Sequence, residues 1–351
     1  MNRTTINSQP GDQQPRCPWL RSRWGHIGGG VAEFGLLWVV SGCANAPSTL
    51  QPQGPAAAKV TTLWWVLFIV ATIVFVIVMG LLAYALWRPR RRAQDDGGMG
   101  SGRFFIGVGG VLVPAIVLVG VMIYTVGVQN AISTPSDPAF TVQIIGHQWW
   151  WEVHYPGQGF TTANEVHIPV GQPVLLKLTA ADVIHSFWAP QLQVKMDLLP
   201  GQTNTTWVMA DRPGAYQVQC AEFCGLQHAH MRLLIVAEPA NQVTAWVANQ
   251  QSVPAQPSDP LLFQGQQIFL GSACVYCHTI RGTVASGQIG PDLTHIASRR
   301  TIGAGLLHNN IGTLSGWTVN AQALKPGNQM PPMYLDAPSL RALVAYLESL
   351  Q

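Results

Sequence analysis

Two long apolar runs constrain this chain more than any other feature. Residues 63–86 (LWWVLFIVATIVFVIVMGLLAYAL) and 104–126 (FFIGVGGVLVPAIVLVGVMIYTV) contain no charged side chain. A helix rises about 1.5 Å per residue, so each run is long enough to cross a hydrocarbon core of about 30 Å. The alternative, a pair of buried helices in a soluble protein, rarely shows two uncharged runs of this length. The sequence therefore predicts a transmembrane hairpin over residues 60–127.

The loop between the two runs is basic, which orients the hairpin. It carries more positive than negative side chains. The arginines are Arg88, Arg90, Arg91, Arg92 and Arg103, and the acidic residues are Asp95 and Asp96. Short basic loops stay in the cytoplasm. We therefore expect a bacterial inner-membrane protein that crosses the membrane twice and carries everything after residue 127 on the periplasmic side. The net charge of +3 is too small to indicate a nucleic-acid partner.

The N-terminal residues 1–43 are typical of a signal peptide. Arg16, Arg21 and Arg23 precede the apolar stretch FGLLWVV. The string VSGC that follows resembles a bacterial lipoprotein cleavage box, in which Cys43 receives lipid. An uncleaved leader is the alternative interpretation. Residues 44–59, rich in Pro, Ala and Gln, are predicted to form a flexible spacer.

Residues 138–238 show a β-type pattern. Short alternating or β-branched runs are separated by Pro and Gly: FTVQII, EVHIPV, PVLLKLTA, TTWVMA, AYQVQC and RLLIVAE. Their length and spacing predict an all-β sandwich or Greek-key barrel. The last two runs are expected to be neighbouring strands.

The turn between those two strands, CAEFCGLQHAHM at 220–231, is crowded with possible metal ligands. A disulfide between Cys220 and Cys224 suits an oxidising compartment but leaves the histidines and Met231 unexplained. Zinc accepts thiolates and imidazoles but seldom a thioether. Copper accepts all three, and an upstream His185 at another strand end completes the set. Two thiolates favour a centre with two coppers.

The combination C-x-E-x-C-x3-H-x2-M, preceded by D-V-x-H-S-F, resembles the dinuclear CuA site of cytochrome c oxidase subunit II. GHQWWWEV at 146–153 and KMDLLPG at 195–201 match the same family, and the likeness covers roughly residues 60–238. It implies a cupredoxin-like sandwich and an electron-transfer role. The resemblance also implies that Cys220 and Cys224 bridge the coppers through their thiolates and that His185 and His228 each bind one copper. Met231 is then a weak thioether ligand, and Glu222 contributes its backbone carbonyl. Trp149 is the residue at which electrons enter.

A further region, residues 261–351, follows a predicted linker at 239–260. Cys274-Val-Tyr-Cys277-His278 is the C-x-x-C-H pattern of covalent c-type haem attachment, with a redox dithiol as the alternative. The region resembles class I cytochromes c, which are all-α. That resemblance implies His278 and Met330 as axial ligands, with Met333 as the competitor and His295 or His308 as weaker ones. It also implies that Pro291 lies near His278 and that the C-terminal helix packs across the segment QQIFLG.

Two redox sites on one membrane-anchored chain resemble a caa3-type oxidase subunit II with a fused cytochrome c. The resemblance implies subunit I, and with it subunit III, as partners, and cytochrome c or another protein as the electron donor. It further implies oxygen reduction in subunit I, coupled to proton translocation. A quinol oxidase subunit lacks the copper ligands present here, and a nitrous oxide reductase has a large His-rich domain that is missing. A copper-delivery lipoprotein is the third alternative. One departure concerns proton entry: many relatives carry a glutamate where this chain reads FIGVGGV.

Overall fold

The computed structural model of the chain describes residues 47–87, 99–133, 135 and 137–351. The predicted signal peptide, the lipidation of Cys43 and most of the basic loop lie outside these residues. The helices are α1 (Pro55–Trp87), α2 (Met99–Gly107), α3 (Val113–Ala131), α4 (Ala240–Gln251), α5 (Pro260–Leu270), α6 (Cys274–Cys277), α7 (Ile311–Leu324) and α8 (Ala337–Ser349).

The strands form two five-stranded sheets and one small hairpin. They are β1 (Thr141–His147), β2 (Trp150–Tyr155), β3 (Phe160–Ala163), β4 (Glu165–Pro169), β5 (Val174–Ala180), β6 (His185–Trp188), β7 (Met196–Leu198), β8 (Asn204–Val208), β9 (Gly214–Cys220), β10 (Arg232–Glu238), β11 (Thr301–Ile302) and β12 (Leu307–His308).

Two helical spans match the apolar runs, and their side chains are exposed in the isolated chain. One covers Pro55–Trp87 (33 residues) and the other Gly102–Ala131 (30 residues), the second formed by α2, a π-helical turn at Val108–Leu112 and α3. Helix α1 begins inside the segment predicted to be a spacer, because Pro55 occupies a first-turn position and alanines follow it. The Lys59 ammonium donates to the Ala131 carbonyl (3.0 Å) and ties the spans together.

The β domain is a sandwich of sheets with strand orders β3-β2-β1-β5-β8 and β4-β10-β9-β6-β7. Residues alternate between buried and partly exposed along β1 and β2, as expected when one face of each sheet packs on the core. The sheets bury a shared apolar core that includes Trp151, Phe187 and Ile235. The predicted cupredoxin-like sandwich is therefore confirmed, and each of the six predicted runs contributes a strand.

The last domain is a small helical unit. Asp259 caps α5 and Asp336 caps α8, each by accepting bonds from backbone amides in the first turn. Helices α5 and α8 cross closely at Gly265, beside the Ala342 carbonyl. This is the predicted packing of the C-terminal helix on the QQIFLG segment. Helix α4 occupies the first half of the predicted linker, and its Trp246 stacks on His167 of the sandwich, with ring centroids 4.0 Å apart.

Candidate metal and haem sites

The turn between β9 and β10 collects the donors that the sequence singled out. Strand β9 ends at Cys220, β10 begins at Arg232, and a 3-10 turn at His228–His230 brings the chain back toward the sheet. His185 reaches the same place from the start of β6, which pairs with β9 beside Cys220. The antiparallel pairing therefore brings together residues that lie 35 positions apart in the chain.

The donor atoms form one compact group, in which His185, Cys220, Cys224 and Met231 are buried and His228 is half-buried. The Cys220 and Cys224 sulfurs are 3.7 Å apart. Cys220 Sγ lies 3.9 Å from His185 Nδ1, and Cys224 Sγ lies 3.7 Å from His228 Nδ1. Met231 Sδ is 3.8 Å from Cys224 Sγ.

The Glu222 carbonyl oxygen lies 3.2 Å from Cys220 Sγ and adds a sixth donor. The two thiols are free, because their sulfurs are much farther apart than the about 2.05 Å of a disulfide. A thioether among thiols and imidazoles matches the donor preference of copper better than that of zinc. The residues present therefore fit a copper centre.

Electrostatics favour an ionised sulfur in this group. The hydrogen bond between the Cys220 and Cys224 sulfurs, reinforced by His185, lowers the pKa of Cys220, although burial opposes it. The same proton sharing raises the pKa of Cys224, so the second proton is held more tightly in the metal-free chain. Because a thiolate is the metal-binding form, copper binding is expected to release protons here.

His185 is oriented from behind by a carboxylate that sequence inspection missed. Asp182 Oδ1 accepts from His185 Nε2 at 2.8 Å, which leaves Nδ1 facing the sulfurs. The His185 ring is fully buried and lies so close to Gly146 that a Cβ there would be 2.7 Å from the ring. Glycine at 146, in the GHQWWW segment, therefore makes room for this ligand. In the sequence, the D-V-x-H spacing was the one feature that pointed to Asp182 as a neighbour of His185.

Two other histidines serve the sandwich rather than the site. His147 Nε2 and His154 Nε2 flank the Glu152 carboxylate at 2.9 and 3.0 Å. Burial opposes ionisation of Glu152, but these hydrogen bonds and the histidine charges outweigh it and lower its pKa to about 2. His147 and His154 therefore have a structural role in the sandwich.

The C-x-x-C-H segment forms the wall of a cavity of about 310 Å³. Cys274 and Cys277 begin and end the short helix α6, and His278 follows it. His278 Nδ1 lies 2.8 Å from the Pro291 carbonyl, the neighbour that the sequence predicted. Burial lowers the pKa of His278 and favours the neutral imidazole that binds iron.

Both candidate methionines, Met330 and Met333, line this cavity. His295 instead lies 2.6 Å from the Gln351 carbonyl through Nδ1, and His308 is exposed. The free thiols, the neutral histidine and the mostly apolar wall fit a covalently attached haem.

The sandwich closes one side of this cavity, an arrangement that sequence reasoning did not anticipate. Trp149 lines the cavity, while its indole N–H donates to the Cys224 carbonyl at 3.0 Å. Gln148 donates to the same carbonyl at 2.7 Å. A single residue thus bonds to the thiol loop and lines the cavity.

Lys325 is a second residue that the sequence did not reveal. Its side chain is buried where the two domains meet, and burial lowers its pKa to about 7 against the attraction of Cys224. A single lysine beside a Pro-Gly turn gives no signal of burial in the sequence.

Comparison with known proteins agrees with this geometry. Residues 158–238 match the cytochrome c oxidase subunit II periplasmic domain, and residues 263–351 match cytochrome c. The chain is 34% identical to cytochrome c oxidase subunit 2 of Alkalihalophilus pseudofirmus over 327 residues, which cover 90% of this chain and 95% of the relative. The chain belongs to the cytochrome c oxidase subunit 2 family.

Two other relatives show lower identities. The Bacillus subtilis cytochrome c oxidase subunit 2 is 26% identical, over 89% of this chain and 94% of that protein. The crystal structure of the periplasmic domain of a cytochrome oxidase subunit II from Bradyrhizobium japonicum is 31% identical, with a TM-score of 0.33, and covers 34% of this chain and 97% of that one.

With a cytochrome c domain at its C-terminus, this member of the subunit 2 family is of the fused, caa3 type that the sequence predicted. It is a membrane protein and a component of a haem-copper oxidase, with an electron-transfer role. The family implies subunit I as a partner, and the two matched domains imply CuA copper and haem c as cofactors.

Proposed function

We propose that this chain takes electrons from a cytochrome c or another donor through its haem c and passes them by way of dinuclear CuA to subunit I. Oxygen would be reduced there, with coupled proton translocation and with subunit III in the complex. The chain would cross the bacterial inner membrane twice and carry both redox domains on the periplasmic side.

The observation that carries this proposal is the position of Trp149. Its indole N–H donates to the Cys224 carbonyl, and the same residue lines the C-x-x-C-H cavity. We assign it the role of the residue at which electrons enter the copper domain. Because the two domains are joined by a short covalent link, their encounter does not depend on diffusion.

The chain's own residues would hold the two groups as follows. The Cys220 and Cys224 thiolates would hold the coppers, together with His185, His228, Met231 and the Glu222 carbonyl. Soft sulfur ligands stabilise Cu(I), and sharing charge over two metals favours electron transfer with little rearrangement.

On the haem side, Cys274 and Cys277 would form the covalent bonds and His278 would bind one face of the iron. We propose Met330 over Met333 for the other face. Met330 lies in a loop stiffened by neighbouring prolines, and its backbone is anchored by bonds to Asn328 Oδ1 and from Gln322 Nε2. Histidine and methionine ligation raises the haem potential.

The second span lacks the acidic side chain that many relatives carry and that helps to admit protons. Its segment FIGVGGV contains no Asp or Glu. This departure from the family pattern gives no support for a proton-entry role of this chain.

A reciprocal pair of variants tests the two sites. In the full-length chain assembled with its partners, Cys220→Ser should abolish the mixed-valence copper EPR signal and leave the haem c spectrum intact. Cys277→Ser should disturb covalent haem attachment and leave the copper signal. Copper and haem content per chain are measured alongside. Loss of both groups in either variant, or of neither, would contradict two separate centres.

A further inference from the structure

A buried lysine joins the two redox domains. Lys325 follows α7 in the cytochrome domain, and only 2% of its surface is exposed. Its Nζ donates to three backbone carbonyls, of Trp149 (2.7 Å), His230 (2.8 Å) and Gly303 (2.9 Å). The first two belong to the copper-binding sandwich and the third to the cytochrome domain.

This arrangement uses the full hydrogen-bonding capacity of the side chain. A lysine ammonium has three N–H donors and no acceptor, and here each finds a carbonyl. Burying a charge without such partners is costly, so the site depends on all three carbonyls being in place. Separating the domains would remove two of the three acceptors from the ammonium.

The carbonyls that Lys325 reaches belong to residues next to the proposed redox ligands. His230 directly precedes Met231, and Trp149 contacts Cys224. On the cytochrome side, Lys325 begins the segment KPGNQM that leads to Met330, and it lines the same cavity.

Three neighbouring hydrogen bonds also connect the two domains at this interface. Gln227 Nε2 donates to the Pro326 carbonyl at 2.7 Å. The Arg232 amide donates to the Ala304 carbonyl at 3.0 Å, and the Arg300 amide to Glu165 Oε1 at 2.6 Å. The Gln227 bond joins the copper loop directly to the loop that carries Met330.

We propose that Lys325 is a positioning residue that locks the cytochrome domain onto the copper loop and so fixes the path across Trp149. The proposal rests on the proposed function, because the locked geometry matters only if electrons pass between the two sites. It assigns no chemistry to Lys325 itself: the residue acts by holding two loops together.

The first test measures docking directly in the intact oxidase. Lys325→Met keeps the apolar stem and removes the ammonium, and Lys177→Met removes an exposed lysine of β5 as the matched control. The Arg232 and Arg300 amides bond across the interface, so their hydrogen exchange reports its opening. We expect Lys325→Met to lower their protection at least tenfold, about 1.4 kcal/mol, and to leave amides between β1 and β5 unchanged. The control should match the wild type.

The second test separates positioning from a merely structural role. After rapid photoreduction of haem c, we expect transfer to copper in Lys325→Met to slow or to split into fast and slow phases. The haem and copper spectra should stay those of the wild type. Lys325→Arg retains the positive charge, so the variant should fold. Its guanidinium cannot direct one nitrogen at three carbonyls, so the Arg232 and Arg300 amides should lose protection from hydrogen exchange, but less than in Lys325→Met.

Wild-type protection and wild-type transfer kinetics in either folded variant would overturn the proposal. Absence of haem-to-copper transfer in the wild type would instead refute the proposed function, so the two failures are distinguishable.

Discussion

The Asp182 carboxylate orients a proposed copper ligand, and its replacement by alanine tests how far that orientation controls metal affinity. Asp182 Oδ1 accepts from His185 Nε2 at 2.8 Å and from the Val183 amide at 2.6 Å. Its Oδ2 accepts from the Gln148 amide at 2.6 Å. In Asp182→Ala, His185 loses the partner that keeps its proton on Nε2 and its Nδ1 directed toward the sulfurs.

The size of the effect follows from the role of such carboxylates. Removing the partner of a metal-bound histidine typically lowers metal affinity about 10- to 100-fold, which is roughly 1.4–2.8 kcal/mol. Asp182→Asn should be milder, because its amide oxygen can still accept from His185 while its NH₂ group faces the Gln148 amide. We therefore expect the affinity order wild type, then Asn, then Ala.

The assay is a copper titration of the full-length chain against a competing chelator, followed by the optical signal of the centre. Asp211→Ala, which removes an exposed carboxylate, is the matched control and should bind copper like the wild type. The haem spectrum should be the same in all four proteins. Copper affinity within twofold of the wild type in Asp182→Ala would refute the orienting role.

Two further predictions concern stability. At Gly265 an added Cβ would overlap the Ala342 carbonyl group, lying 2.6 Å from its carbon. Gly265→Ala should therefore cost about 1–3 kcal/mol of stability and lower the thermal midpoint of the cytochrome domain. The control is Gly316→Ala, which should leave the midpoint unchanged because the nearest atom to a Cβ at Gly316 is 3.9 Å away. Equal midpoints in the two variants would contradict the close crossing of the helices. The pKa of Glu152 is lowered from 4.5 to about 2, so its contribution is present above pH 4.5 and is lost as the pH falls toward 2. Because the carboxylate is partly exposed, solvent screening keeps this contribution below about 3 kcal/mol. Acid unfolding followed by circular dichroism should show Glu152→Gln less stable than the wild type above pH 4.5, with most of the difference lost by pH 2. A difference that is as large at pH 2 as at pH 6 would rule out this linkage.

Local pattern was sufficient for most of the fold. The two uncharged runs predicted the helical spans, because only length and apolarity are needed to recognise them. The six alternating runs predicted strands, since a period of two reflects burial on one face of a sheet. Strand β2 was not predicted, because its consecutive tryptophans hide the alternation of polar and apolar residues. In the structure Trp151, Val153 and Tyr155 are the buried residues of this strand.

The soft ligands of the copper loop were readable because they are crowded into twelve consecutive residues, and the haem-binding motif because it is contiguous. Asp182 was missed although it lies three residues before His185, since a carboxylate near a histidine is common and only the folded turn shows that the two touch.

The sequence alone predicts the two long apolar helices, the strand-forming runs and the types of candidate ligand, because hydrophobic period and local spacing encode them directly. Only the tertiary structure decided that Trp149 lies between the thiol loop and the cavity, and that Lys325 bonds to carbonyls 176 and 95 residues away. The Lys325 bonds join separate domains through backbone carbonyls, which every residue possesses, so no pattern of side chains in the sequence could indicate them.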